Sequence, residues 1–531
     1  MRPYRRMKRP KSIIPEVRLP DPVPEAGDLL DKALEVKEKQ LRETFANCSD
    51  VVFRHIVCPD AVGQGIRMLI TYVDGLVDTK HLDEAVLQVL MRQPLPPAPA
   101  VTAAWVQEIL ADRAVPAAQV GVVTTYDEVV AFVLKGSVTM CVDGDEAALT
   151  LSVVGWKQRG IEEPPSEPVI RGPREGFVES LRTNTAMVRR RIRSPKLKMQ
   201  TFTIGEFTKT DVVLAYVDGI AEPSVVEEAR RRIQRIDIDA VLESAFLEEF
   251  IEDSPKSPFP QVQSTERPDV VSANLLEGRF AIFTDGTPFA LVAPVVFWGA
   301  LNANEDYYER TFMSSFLRIL RITFMLVSLL LPSVYVAMAT FQQEMIPTTL
   351  LMSISAARES TPFPAVIEAL FMEIVFEALR EAGVRMPKQI GQAMSIVGAL
   401  VIGQAAVEAG IISAPMVIVV SFTGIASFTF PRYNFGIAIR LLRFPMLILS
   451  GIFGIYGIAI GIVILVIHLV SLRSFGVPYF TPVGPMHFQD FRDVFIRVPR
   501  WAMRYRGGMT AKQNTIRIPA GQQPGPQQDK E

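Results

Sequence analysis

Apolar and polar positions divide the chain into about 300 residues of mixed, charged sequence, an apolar block over residues 319–472, and a short basic tail. Residues 319–341 run for 23 positions with Arg321 as their single charge. Since about 20 apolar residues in a helix span the hydrocarbon of a bilayer, this segment predicts a crossing. Residues 390–411, residues 415–430 and a stretch within 447–472 predict three more. A fifth segment, 364–379, interleaves Glu368, Glu373 and Glu377 with Phe371, Ile374, Val375 and Phe376. That mixture reads as an amphipathic helix that lies at the interface or re-enters. The expected fold class is an α/β soluble head joined to an α-helical transmembrane domain of about four spans.

The head resembles itself. Tyr72-Val73-Asp74-Gly75 recurs as Tyr216-Val217-Asp218-Gly219, an offset of 144 residues, within the longer matched windows 70–89 and 214–233. Residues 133–156 align without gaps on 275–298, matching Gly136 with Gly278, Asp143-Gly144 with Asp285-Gly286 and Trp156 with Trp298, at an offset of 142. Two ordered blocks at nearly one offset predict two copies of one α/β unit, at 45–160 and 190–305. Each copy should hold a strand ending in Asp-Gly, a helix (82–91; 224–236) and a hairpin turning at Asp143-Gly144 or Asp285-Gly286, with φ > 0 at both turn positions. Residues 289–301 are apolar but too short to span, and their alignment with 147–156 makes them a core strand.

Residues 1–44, with six basic residues in the first twelve, read as a disordered arm; an electrostatic contact with an anionic leaflet is the sharper alternative. No apolar run follows these charges, so the arm is not a signal peptide and the head should stay in the cytoplasm. Between the copies, 161–189 reads as a proline-rich linker and basic helix. Its arginines Arg189, Arg190 and Arg191, with Arg193 beyond, are expected to serve inter-subunit or lipid-surface contacts; without aromatic stacking platforms, nucleic acid is not expected. Residues 476–531 form a basic, partly disordered tail. Cys48, Cys58 and Cys141 make no C-x-x-C pair, which argues against a disulfide framework or zinc site. No phosphate-binding or nucleophile-elbow motif occurs, and none of the four histidines is paired at metal spacing. An enzyme, a metal and a cofactor are therefore not expected.

Arg310, Arg318 and Arg321 before the first span place the head on the cytoplasmic side, and the basic tail prefers that side too. Four crossings then leave Lys388, Arg432, Arg440 and Arg443 on the wrong side. Either some of these cations pair within the protein, or 364–379 also crosses.

Within 390–411, Gly391, Ser395, Ala399 and Gly403 recur every fourth residue as one narrow ridge, the pattern of a helix-packing face. Val397, Val401, Gln404 and Glu408 form a second stripe on nearly the opposite side. Valines leading to an amide and a carboxylate suit a pore lining, because apolar constrictions gate by dewetting and acidic rings favour cations. Solvation of Glu408 near the interface is the plainer alternative.

Several stretches together resemble the A-subunit family of bacterial spore germination receptors, the GerA family: RGPREGF (Arg171, Gly172, Pro173, Arg174, Glu175, Gly176, Phe177), RRRIR (189–193), ARESTPFP (357–364), the block 372–410, and FPRYNFG (430–436, with Pro431, Arg432, Tyr433 and Asn434). The resemblance implies a multi-pass protein of the spore inner membrane that senses nutrients with B and C subunits, touches membrane lipids and forms a homo-oligomeric, ligand-gated ion channel. The basic arm and the Gln/Pro-rich tail depart from the family pattern. They leave open a paralogue that amplifies germination without its own B and C subunits. A non-conducting scaffold is a further alternative, and a transporter is disfavoured because the duplication lies in the head rather than the membrane block.

Overall fold

A computed structural model describes residues 28–59, 65–92, 102, 120–153, 163–164, 166–385, 404–486, 490–508, 510–519 and 521–525. The chain divides into two compact units, Met1–Ala46 with Val51–Trp156, and Asn47–Asp50 with Lys157–Glu531.

In the first unit, helix α1 (Leu34–Thr44) precedes strands β1 (Val51–Cys58) and β2 (Ile66–Val73), which pair antiparallel with Val51 opposite Val73. The helical run 79–92 (α2) starts at Asp78, whose carboxylate accepts the amides of Lys80 and His81, both at 3.1 Å. Strand β3 (Val120–Val123), helix α3 (Tyr126–Leu134), β4 (Val138–Val142) and β5 (Ala148–Leu151) complete it. A Thr125/Glu128 capping box opens α3. The sheet order is β1-β2-β4-β5-β3, and Met68, Ile70, Met140 and Leu149 pack on Leu82, Val86 and Leu90 of α2. Cys58 and Cys141 are free and fully buried, and burial pushes both thiols up to about 11.

The second unit begins with α4 (Leu181–Arg191), β6 (Leu197–Ile204), β7 (Thr210–Val217), α5 (Pro223–Gln234) and α6 (Ser244–Ile251). Then come β8 (Gln263–Thr265), α7 (Pro268–Leu275), β9 (Phe280–Thr284) and β10 (Ala290–Ala293). Its sheet order is β6-β7-β9-β10-β8. Helices cover both faces: Val212, Leu214 and Tyr216 pack with Ala229, Ile233 and Leu247, whereas Val213, Ala215 and Val217 pack with Met187, Val188 and Val271. Side chains alternate across a strand, so burial of both faces makes β7 an unbroken apolar run.

The Asp-Gly turns differ from the two-residue hairpins expected. Five residues separate the strands in each case, 143–147 and 285–289, and only the glycines take positive φ, +87° at both Gly144 and Gly286. The aspartates are engaged elsewhere. Asp143 Oδ1 accepts the amide of Leu34, the first residue of α1, at 3.2 Å, and Asp285 Oδ1 accepts that of Leu181, the first residue of α4, at 3.0 Å. Each carboxylate thus satisfies an otherwise orphaned helix-terminal donor from across the sequence. Residues 34–44, expected in the disordered arm, are accordingly helical. Residues 289–301 are not one strand: β10 ends at Ala293, Pro294 has no amide to continue the ladder, and Phe297–Leu301 forms a 3-10 turn.

The helical block comprises α8 (Thr311–Thr340), α9 (Thr348–Arg358), α10 (Ala365–Arg385), α11 (Ala414–Ser427), α12 (Tyr433–Phe453) and α13 (Ile455–Ser471). Among the described residues, α8 and α12 are long and apolar enough to cross a membrane, and α11 and α13 are shorter apolar helices. Ile437, Leu441 and Ile448 of α12 and Ile460, Val463, Ile464 and Ile467 of α13 face outward, an arrangement suited to lipid rather than water. The single crossing expected within 447–472 is part of a helical hairpin. Gly454 breaks the path at φ +60° and ψ −138°, a conformation essentially confined to glycine. Helix α13 then returns along α12, with Gly457 against Leu449 and Gly461 against Met446. The basic tail does not dangle either: Thr510 Oγ1 donates to the Glu277 carbonyl at 2.7 Å, and Ala511 joins the core under β9.

Candidate functional site

The expected lining stripe and packing ridge fall largely outside the described residues: Val397, Val401, Gly391, Ser395, Ala399 and Gly403 all do. Gln404 and Glu408 are described, exposed and joined by a 3.0 Å hydrogen bond from Nε2 to Oε1. The flanks of the segment are well held. Glu368 of α10, 1% exposed, accepts the Ser413 amide at 3.1 Å and the Ser413 hydroxyl at 2.8 Å, tying the start of α10 to the start of α11. Gly410, at φ +67°, sits against the Ser360 carbonyl.

A ladder of charges runs through the helices themselves. Glu373 and Arg443 are each 1% exposed and pair directly; Arg443 also donates through Nε to the Ser328 carbonyl at 2.8 Å and through Nη2 to the Ser328 hydroxyl at 2.9 Å. One guanidinium therefore joins α8, α10 and α12. Four residues along α10, Glu377 accepts from Arg440 at 2.6 Å. Arg380 donates to the Ser427 hydroxyl at 2.6 Å and lies 4.3 Å from the centre of the Phe428 ring. Glu368, Glu373 and Glu377 are thus not a solvated interfacial face, as the amphipathic reading of 364–379 has it. They project into the bundle because a buried carboxylate needs a cation or donors, and α11 and α12 supply them. The same pairs remove Arg440 and Arg443 from the count of free positive charges. At the base of α8, Arg318 and Arg321 both bind Asp306, and Arg318 also reaches Asp493. Two of the three arginines that orient the first span are therefore neutralised in place.

The family-motif residues take structural positions. Arg171 is exposed, and a side chain on Gly172 would come within 2.9 Å of the Tyr308 ring. The Pro173 carbonyl accepts from Arg267 at 2.8 Å, and Arg174 lies 3.8 Å from Glu163. Glu175 clamps Arg190 and Arg191, each at 2.6 Å, while Gly176 and Phe177 are buried, the Phe177 ring edge-on to Phe283. Arg189 is fully buried and bidentate to Asp50, at 2.8 and 2.7 Å. Arg189, Arg190 and Arg191 thus each find a carboxylate within their own unit, which holds α4 to it. Pro431 and Arg432 precede α12, and Tyr433 and Asn434 open it with exposed side chains. Sequence reasoning did not match the arginines of α12 with the glutamates of α10. The i, i+4 spacing of Glu373 and Glu377 beside the i, i+3 spacing of Arg440 and Arg443 was the available signal.

Comparison with known proteins places this architecture. The family described as Bacillus/Clostridium GerA spore germination protein matches residues 39–509. An uncharacterized membrane protein of Bacillus subtilis (strain 168), YfkQ, is 51% identical over 467 residues, covering 88% of this chain and 89% of its own. Spore germination protein KA of the same organism is 43% identical over 498 residues, 94% of this chain and 90% of its own. Spore germination protein GerLA of Bacillus cereus is 38% identical, over 90% and 96%. The N-terminal domain of the A subunit of the Bacillus megaterium spore germinant receptor GerK3 is 35% identical, covers 51% of this chain and 98% of its own, and superposes with a TM-score of 0.40.

Proposed function

This chain belongs to the Bacillus/Clostridium GerA spore germination protein family, and from that premise we propose that it is the A subunit of a nutrient-responsive germination receptor, a non-enzymatic membrane protein that oligomerises into a ligand-gated ion channel. The observation that carries the reading is the extent of the match: residues 39–509 include both α/β sheets and the whole helical block, so head and membrane parts are inherited together. The receptor works with B and C subunits in the spore inner membrane, its head in the cytoplasm. Packing of Thr510 and Ala511 against the second α/β unit supports head and tail on one side, which requires an even number of crossings.

The head is a duplicated α/β unit. Supporting this are the shared order of first, second, fourth, fifth and third strands in the two sheets, and the matched roles of Asp143 and Asp285 at the starts of α1 and α4. The boundaries follow the repeat, with α1 and α4 included in their units. In the membrane, Val397, Val401, Gln404 and Glu408 line the pore and Gly391, Ser395, Ala399 and Gly403 pack on a neighbouring helix. Ser413, beyond the end of that segment, is tied to Glu368 at the start of α10. Spores carrying Val401→Ser should leak ions or germinate without nutrient, because a hydroxyl ring wets the constriction. Purified protein that gives no single-channel currents in bilayers, with or without that substitution, would leave a scaffold.

A second reading has its own support. The basic N-terminal arm and the Gln/Pro-rich tail depart from the family pattern, which favours a paralogue acting without its own B and C subunits. Deleting this gene separates the two: loss of response to one nutrient class marks a receptor, and a weaker response to all of them marks an amplifier.

A further inference from the structure

Where the second α/β unit meets the ends of the membrane helices, a cavity of about 490 Å³ opens between α7 and β9, the 3-10 turns 297–307, the start of α12 and the tail. Its size is that of pockets that enclose small organic ligands. Its polar lining is unbalanced. Among the described residues, six arginines face it against three carboxylates, and all three carboxylates are taken: Asp269 by Arg267, Glu277 by Arg517, Asp493 by Arg318.

Two of the arginines carry buried donors with no acceptor. Nε of Arg279 and both Nε and Nη1 of Arg432 are buried with no acceptor among the described residues, and so is the indole Nε1 of Trp298 on the same wall. Neither guanidinium has a carboxylate within ion-pair distance among the described residues. Burial holds both below the ordinary arginine range; at Arg432 the Glu167 carboxylate pulls the other way and the Arg279 charge adds to the lowering, so that it falls to about 10 and remains a cation at neutral pH. Two unpaired cations and an unpaired indole N–H in the wall of one cavity are costly unless something supplies acceptors. Val296, Val477 and Met503 add an apolar wall beside them.

We infer that this cavity is a binding site for an organic oxyanion of the phosphate-ester class, its oxygens held by Arg279, Arg432 and Trp298 Nε1 and its body resting on the apolar wall. Guanidinium forks match phosphate oxygens two at a time, and an oxyanion here removes the repulsion between the two arginines. The site sits where α8 and α12 begin and α13 ends, at the level of lipid headgroups if those helices span. A lipid phosphate and a soluble phosphate ester therefore offer the same group. Occupancy would tie the head to the membrane helices, because Arg279 belongs to the α/β sheet connection and Arg432 to the start of α12.

The test uses full-length protein, followed by its thermal unfolding midpoint, with inorganic phosphate or glycerol phosphate in detergent at matched ionic strength, and with nanodiscs of phosphatidylglycerol against phosphatidylcholine. A rise of several degrees with either phosphate-bearing arm supports the site: a response to soluble phosphate ester identifies a soluble ligand, and a response to phosphatidylglycerol alone identifies the headgroup. Arg432→Met, Arg279→Met and Trp298→Phe should each weaken the response at least tenfold in half-saturating concentration, while keeping the parent's circular dichroism spectrum without anion. The inference is overturned if no arm raises the midpoint, or if the three variants respond as the parent does.

Discussion

Replacing Arg443 with methionine keeps the length and the apolar stem but removes the cation that joins three helices. Glu373 is then left 1% exposed with a charge and no counter-ion, and the Ser328 carbonyl and hydroxyl each lose a donor. Breaking one side of a buried pair costs roughly 3–5 kcal/mol, because the remaining charge keeps its desolvation penalty. For a cooperative unit the size of this helical block, 1 kcal/mol shifts the unfolding midpoint by about 2–4 °C, so Arg443→Met should lower it by roughly 10 °C. Glu373→Gln with Arg443→Met removes both charges and should recover most of the loss, giving a coupling of about 2–4 kcal/mol in a double-mutant cycle. The assay is thermal unfolding of the four detergent-solubilised proteins, read by loss of helical circular dichroism. A single variant within about 2 °C of the parent, or a double variant that loses the sum of the two singles, would refute a coupled, desolvated pair.

Three further outcomes follow from the packing. Burial, then the charges of Glu252, Glu243 and Glu249, push the Glu248 carboxyl up to about 7, so the fold binds its proton more tightly than the unfolded chain does; stability falls as pH rises from about 4.5 to about 7, and Glu248→Gln should stabilise the protein at pH 8 but not at pH 4.5 in parallel melts. Gly461→Val should open the α12–α13 hairpin, because the added carbons land on Met446, and limited proteolysis near Gly454 should accelerate; unchanged cleavage would place the two helices apart. Arg189→Met strands Asp50, 4% exposed, and should cost roughly 3–5 kcal/mol in denaturant unfolding of the full chain, whereas Arg174→Met, at an exposed pair, should cost under about 1 kcal/mol.

Periodicity and composition made the helical block, the two stretches of strands and the positions of the Asp-Gly turns legible. They could not give what those aspartates bind, because the partner amides of Leu34 and Leu181 lie more than a hundred residues away. The charges were misplaced for a related reason. A glutamate or arginine in an apolar helix looks like an interfacial or flanking residue until its partner on another helix is known, and Glu373 with Arg443 is a long-range pair, as are Arg189 and Asp50. Gly454 escaped because it shares its apolar run with Gly451, Gly457 and Gly461, and spacing does not say which of them breaks the helix; only its backbone angles distinguish a hinge from a packing contact. The pocket was the least legible element, since Arg279, Trp298 and Arg432 come from three separate stretches of chain.

The sheets settle a practical matter for chemistry on the membrane segment. All three native thiols are buried; at pH 7.5 Cys58 and Cys141, pushed up to about 11, are ionised in roughly one molecule in three thousand, and burial raises Cys48 as well. Thiolate is the species that reacts with maleimides and methanethiosulfonates, so the native thiols should label slowly and leave the wild-type protein a low background. Single cysteines can be introduced from Gly391 to Glu408 one at a time, with no native residue replaced first, and the labelling rate at each position then reads out which side of that segment meets water.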